Sequence, residues 1–252
     1  MPTDHLRFFI GWDSCEPIAF HTFAHSLIRR STVPLTISPL VQGVLRLRGL
    51  YTRQRRPSES TEFSLTRFLV PALCDYQGFA IFADSDMLAL DNPAPLLKIQ
   101  EEMAARKLAV GCCQHYYTPS TETKMDGQIQ TVYPRKNWSS FLIFNTPLCR
   151  ALSPEYVNRA SGLELHRLQW TMDSQLFALP LEWNWLVGEY GHGRDVKIVH
   201  YTLGGPWFRD HQNCDYADQW REECREAELP PSGWGREAWN KMTGRFAESE
   251  AP

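Results

Sequence analysis

The 252-residue sequence predicts an α/β fold of the doubly wound kind: a mostly parallel central sheet, followed by a more irregular second half. Strand-like and helix-like patterns alternate through the first 113 residues. The strand candidates are short, nearly uninterrupted apolar runs, as expected where a sheet is covered on both faces. Acidic residues fall just past the ends of these runs, at the edge where open α/β sheets collect ligands.

Leu6 to Trp12 is apolar except for Arg7 and Gly11 and ends at Asp13, which reads as a buried first strand. From Glu16 to Arg30 the apolar positions Phe20, Phe23, Ala24, Leu27 and Ile28 follow a 3.6-residue stripe closed by two arginines, which predicts a helix. Leu35 to Leu40 reads as a second strand. Arg46, Arg48, Arg53, Arg55 and Arg56 then fall within eleven residues that contain no acid, bounded by Pro57 and Ser58, and predict a mobile basic loop. Glu62 to Leu73 regains helical spacing, with Pro71 disturbing its last turn. The run Phe79 to Ala83 is a strand, Leu96 to Lys107 a helix and Leu108 to Cys113 another strand. Beyond that, Gln128 to Tyr133, Ser139 to Asn145, Trp170 to Leu179, Trp183 to Val187 and Val196 to Tyr201 are short strand-like pieces joined by loops. This organisation predicts one domain over residues 1–230, made of a regular first half (1–113) and an irregular second half (114–230). Residues 231–252 form a Pro-, Gly- and Glu-containing tail.

The composition is that of a globular protein, with 43% hydrophobic and 22% charged residues. A net charge of −3 argues against a nucleic-acid binder. The seven cysteines contain no C-x-x-C pair, so neither a zinc site nor a disulfide framework is suggested. With a polar N-terminus and no long apolar stretch, the reading is a cytoplasmic protein, at most peripheral to a membrane.

The chemistry centres on Asp84-Ser85-Asp86, at the end of the run Phe79 to Ala83. Two carboxylates leaving one strand tip can hold a divalent metal against a diphosphate. The triplet alone is weak evidence: with 12 Asp in 252 residues, chance supplies about 0.6 of them. A capping or loop pair is the alternative reading. His200 follows the run Val196 to Val199, apolar apart from Lys197, and precedes Gly204-Gly205-Pro206-Trp207, which adds an imidazole beside backbone that can approach phosphate closely; a structural histidine is the alternative reading. Asp84, Asp86 and His200 together form a mixed oxygen and nitrogen set suited to Mn²⁺ or Mg²⁺. Trp183 and Trp185 could stack on a sugar, with half-buried packing as the alternative, and His115 could face a second ligand, with a loop turn as the alternative.

With these residues in place, the chain resembles the GT-A type glycosyltransferases, and among them the family of glycogenin and the bacterial lipopolysaccharide galactosyltransferases. The likeness runs through most of residues 6 to 207: Phe8-Phe9-Ile10-Gly11-Trp12-Asp13, Thr66-Arg67-Phe68-Leu69-Val70-Pro71, Asp84-Ser85-Asp86, Trp138 to Asn145, Asp173 before Leu179-Pro180 and Trp183-Asn184, and the late His200. The resemblance implies a Rossmann-like GT-A fold and transfer of a sugar from a nucleotide sugar, a UDP-sugar, to a hydroxyl on a glycan, lipid-linked or protein acceptor, with retention. It implies Mn²⁺ or Mg²⁺ on Asp84, Asp86 and His200. It places Gly11, Asp13, Arg67, Asp84, Ser85, Gly204, Gly205 and Trp207 around the donor, and gives Asp173 and Arg67 the catalytic roles. The C-terminal motif departs from the family pattern: it is one residue shorter and lacks the lysine before Pro-Trp, leaving Arg67 or Arg135 as the cation for the diphosphate. Trp138 also stands where the family carries Asn.

Other classes remain open on the residues alone. A nucleotidyltransferase would need an N-terminal Gly-rich loop with a basic residue, and Gly11-Trp12-Asp13-Ser14 is not one. An aspartyl phosphohydrolase would need a later Gly-Asp acidic pair. A non-catalytic sugar- or nucleotide-binding protein would bind the donor without slowly hydrolysing it.

Overall fold

The computed structural model describes residues 5–54, 59–116, 123–124, 128–129 and 134–227. In the first part, β1 (Leu6–Gly11), α1 (Pro17–Arg30), β2 (Leu35–Leu40), α2 (Gln42–Leu47), a 3₁₀ turn at Thr66–Leu69, α3 (Val70–Leu73), β3 (Phe79–Ala83), β4 (Met87–Ala89), α4 (Leu96–Ala105) and β5 (Val110–Cys113) follow in order. Then come β6 (Thr123–Lys124), β7 (Gln128–Ile129), β8 (Phe141–Asn145), α5 (Pro154–Arg159), α6 (Gly162–His166), β9 (Leu176–Leu179), β10 (Trp185–Leu186), β11 (Ile198–His200) and α7 (Ala217–Ala227).

Six strands form the central sheet in the order β2-β1-β3-β8-β5-β9. All run parallel except β8, which is antiparallel to both neighbours. The two sequence halves therefore share one sheet, because β8 and β9 flank β5. Alternation along the strands explains their continuous apolar character. On β3, Ala80 and Phe82 enter one core while Ile81 and Ala83 enter the other; on β8, Leu142 and Phe144 oppose Phe141 and Ile143 in the same way. Both faces are covered, so no polar alternation can develop.

A smaller sheet, β10-β11-β4, sits beside the first. Strand β4 starts immediately after Asp86 and pairs antiparallel with β11, setting Met87 opposite His200. The Tyr201 amide donates to the Asp86 carbonyl at 2.8 Å. This pairing carries a residue from late in the chain to the tip of β3.

The basic stretch after β2 differs from the expected loop. Residues 42–47 are helical, Tyr51 is buried, and the Arg46 guanidinium lies 4.9 Å from the Tyr51 ring centre. Arg53 donates to the carbonyls of Val157 (2.8 Å) and Ala160. Leu45 and Tyr51 supply the apolar anchors that the charge pattern obscured. Arg55 and Arg56 lie outside the described residues, as does the C-terminal tail. The helix expected over Glu62 to Leu73 shortens to the 3₁₀ turn and α3, with Pro71 in the first turn of α3.

The acid-rich stretch from Asp210 to Glu228 contains a helix, α7, that the sequence reading did not identify. It packs on α1 through Glu223, buried with its Oε1 2.6 Å from His25 Nδ1 and its Oε2 accepting from Arg30 at 2.6 Å. The basic end of α1 thus meets the acidic face of α7. No described helix is long and apolar enough to cross a membrane.

Candidate metal centre

The parallel strands β1, β3 and β5 end on one edge of the central sheet, and the reversed β8 begins there. Ala83, the last residue of β3, pairs with Phe141, the first of β8. Asp84 and Asp86 leave this edge, and the β4–β11 pairing brings in His200. One ligand atom from each of Asp84, Asp86 and His200 lies within 4.8 Å of the others. His200 Nε2 is 3.4 Å from Asp86 Oδ1 and 3.9 Å from Asp84 Oδ2. Asp86 and His200 are buried and Asp84 is nearly so.

Arg67 is a cation paired with the cluster. The 3₁₀ turn carries it beneath the strand tip, where it is buried, forms an ion pair with Asp84 Oδ1 at 2.8 Å and donates to the Ser139 carbonyl at 2.8 Å. Its guanidinium carbon sits 4.8 Å from the Phe82 ring centre and 5.5 Å from that of Phe63. The three clustered side chains themselves carry two carboxylates and, with a neutral imidazole, no positive charge of their own. Asp86 Oδ1 is buried and has no hydrogen-bond donor among the described residues. A buried acceptor without a donor is costly, and a divalent cation bound by two carboxylates and an imidazole removes that cost. The residues fit such an ion.

His200 is backed by a buried polar chain. Its Nδ1 lies 2.9 Å from Asn184 Oδ1; Asn184 Nδ2 lies 2.8 Å from Ser140 Oγ and 3.0 Å from His115 Nε2; and His115 Nδ1 lies 2.9 Å from Tyr190 Oη. Sequence reading missed the role of Asn184 and placed His115 on the acceptor side. His115 is buried instead, and desolvation, reinforced by His200, pushes its pKa down to about 3. The unfolded imidazole titrates near 6.5, so the unfolded chain takes up a proton that the native chain refuses. Stability should therefore be fully present above pH about 6.5 and fall as the pH drops toward 3, by on the order of a few kcal/mol. Urea titrations across that range, compared with His115→Gln, check this: the variant should show the shallower pH dependence.

The remaining predicted residues divide. Asp13 accepts from the amides of Cys15 (2.9 Å) and Glu62 (3.1 Å), which ties the turn after β1 to the chain ahead of Arg67. Gly11 lies against the Phe63 ring, with no room for a Cβ. Ser85 is buried between the two aspartates. Gly204 has φ +130°, and a Cβ there would be 2.6 Å from His211 Cδ2, so the turn after β11 needs glycine. Gly205 is buried beside Trp207, whose indole N–H donates to Glu16 at 2.9 Å.

Asp173 stands apart from the metal ligands. It is 75% exposed, bonds to Arg135 at 2.7 Å, and lies in the 3₁₀ turn just ahead of β9. With Arg135 and Arg167 it lines a cavity of about 570 Å³. Trp183 is buried beneath Lys197, so it offers no acceptor surface; Trp185 is half-buried.

No protein-family model matches the chain. Protein CDI of Arabidopsis thaliana is 46% identical over 231 residues, covering 88% of this chain and 86% of that protein. The chain belongs to the Protein CDI family. Among solved structures, this CDI-family chain is similar to the bifunctional glycosyltransferase WbbM, with TM-score 0.60, 15% identity and 94% of the chain covered. It spans about half of WbbM, 52% of that chain. It is also similar to the galactosyltransferase LgtC, solved with donor and acceptor sugar analogs, with TM-score 0.57 and 11% identity over 91% of this chain and 99% of that one. GlyE of Streptococcus pneumoniae TIGR4, another glycosyltransferase, gives 0.53 with 12% identity, over 88% of this chain and 60% of that one. These likenesses identify the CDI-family fold as GT-A type.

Proposed function

We propose that this chain is a glycosyltransferase that moves a hexose from a UDP-sugar to a hydroxyl acceptor, with retention, and that it uses Mn²⁺ or Mg²⁺ held by Asp84, Asp86 and His200. The observation that carries this reading is the clustering of those three side chains at the ligand edge of a GT-A type sheet. When bound, the cation neutralises charge on the diphosphate leaving group, the largest electrostatic demand of such a transfer.

In this reading the chain's own residues supply the frame. Arg67 is already bonded to Asp84 and to Ser139, so it serves the diphosphate at one remove, by holding Asp84 in place. Asp13 shapes the turn that would face the nucleoside. Asp173 would reach the donor sugar only if its pair with Arg135 opened. The half-buried Trp207 and the buried Gly204-Gly205 turn would wall the phosphate side. The acceptor would enter beside the exposed Tyr116 and the half-buried Trp185.

Calorimetric titration of UDP tests this reading. Binding is expected with Mn²⁺ and not in chelator, because two carboxylates without a cation repel the diphosphate. Equal affinity in both buffers would sink the metal assignment, and slow UDP release from a cognate UDP-sugar would separate a transferase from a binding protein.

A further inference from the structure

The surroundings of Asn184 admit one arrangement of protons. Its side chain is fully buried. Ser140 Oγ donates its hydrogen to the Asn137 carbonyl at 2.7 Å, which leaves an oxygen lone pair facing Asn184 Nδ2 at 2.8 Å. The Asn137 carbonyl itself lies 3.4 Å from the same nitrogen. With the Ser140 hydrogen on the Asn137 carbonyl, and that carbonyl unable to donate, the amide NH₂ faces both and Oδ1 faces His200; the flipped amide would have to take the Ser140 hydrogen away from Asn137. A carbonyl oxygen carries no hydrogen, so the proton of the 2.9 Å contact sits on His200 Nδ1. The other N–H of Asn184 meets His115 Nε2, which must accept, and His115 Nδ1–H then donates to Tyr190 Oη.

We propose that Asn184, seated by Ser140, His115 and the Asn137 carbonyl, is the positioning residue that fixes His200 as its Nδ1–H tautomer and so presents the Nε2 lone pair to a divalent cation between Asp84 and Asp86. The alternative tautomer would aim an N–H at Asp86 Oδ1, 3.4 Å away, and close the cluster on itself. The amide orientation therefore decides whether the site takes a cation or satisfies itself. A backbone carbonyl and a serine hydroxyl set that orientation. The depressed pKa of His115 agrees with this: a neutral His115 keeps an acceptor at Nε2, and a protonated one could not accept there. The proton map rests on hydrogen-bond geometry alone; its consequence for metal rests on the reading above, and the test separates the two.

In long-range ¹⁵N–¹H spectra of metal-free, histidine-labelled protein, with His200 assigned through His200→Gln, we expect a protonated Nδ1 and an unprotonated Nε2. An Nδ1 without a proton would overturn the proposal without any variant. Manganese titrations followed by electron paramagnetic resonance then read the consequence. Asn184→Leu should weaken Mn²⁺ binding about 10–100-fold, as loss of an orienting partner does. Asn184→Asp keeps an acceptor for Nδ1–H, lets His115 switch to its Nε2–H form, and should stay within about fivefold of the wild type. A folded leucine variant with wild-type Mn²⁺ affinity would also overturn the proposal. Wild-type protein that binds no Mn²⁺ would remove the metal reading, while the spectra would still decide the tautomer.

Discussion

Asp86→Asn is expected to raise the melting temperature in chelator and to remove the further rise that UDP with Mn²⁺ gives the wild type. The two effects share one cause. Asp86 Oδ1 is buried beside a second carboxylate with no hydrogen-bond donor among the described residues, so without metal its charge is poorly offset. An amide of the same shape relieves the repulsion and weakens the cation site. For the wild type, ligand at 100 times its Kd adds about 2.7 kcal/mol, or roughly 5–10 °C for a chain of this size. The variant should gain almost none of this and should lose at least about 100-fold in kcat/KM for transfer. Scanning calorimetry with and without metal reads the crossing directly. A variant less stable than wild type in chelator would mean that Asp86 is a structural residue.

Arg67→Met should be the most destabilising single change near the site. It removes the partner of Asp84 and the donor to the Ser139 carbonyl together, both inside the protein. Breaking a buried ion pair from one side costs about 3–5 kcal/mol, because the charge left behind stays desolvated. The melting temperature should fall by about 10 °C. Arg67→Lys should recover only part of this: both acceptors are reached through Nη1, whose charge an ammonium can supply, but an ammonium cannot replace the planar guanidinium packed against the Phe82 and Phe63 rings. Asp84→Asn in the Arg67→Met background should restore much of the loss. If the double variant is no more stable than the single, the cost lies in packing and not in charge.

The elements that a local pattern could reveal were legible in the sequence. Buried strands such as Phe79 to Ala83 announce themselves by apolar continuity, and the helix after β1 by its 3.6-residue stripe. The metal cluster was legible because strand ends are where an open sheet gathers ligands. What escaped has no local signature. Asn184 bonds across 69 residues to His115 and across 44 to Ser140, and only the assembled β8 and small sheet bring them together. Helix α7 escaped because its face toward α1 is itself charged: Glu223 is buried only because Arg29, Arg30 and His25 receive it. The basic stretch after β2 misled for the reverse reason, since a charge count cannot see Tyr51 folding under Arg46.

The reversed direction of β8 has a consequence for where the chain can change length. A strand running with the others delivers the residues after it to the ligand edge, and loops there can grow into solvent. Strand β8 delivers the residues before it, and those are bound on several sides: Asn137 donates to Thr202, Ser139 accepts from Arg67, and Ser140 bonds to both Asn137 and Asn184. An extra residue between Asn137 and Phe141 has nowhere to bulge. It would either slip β8 by one position, exchanging the faces of Phe141 to Asn145 between the two cores, or pull these backbone carbonyls away from the side chains they orient. The segment ahead of β8 should tolerate side-chain substitution far better than insertion or deletion.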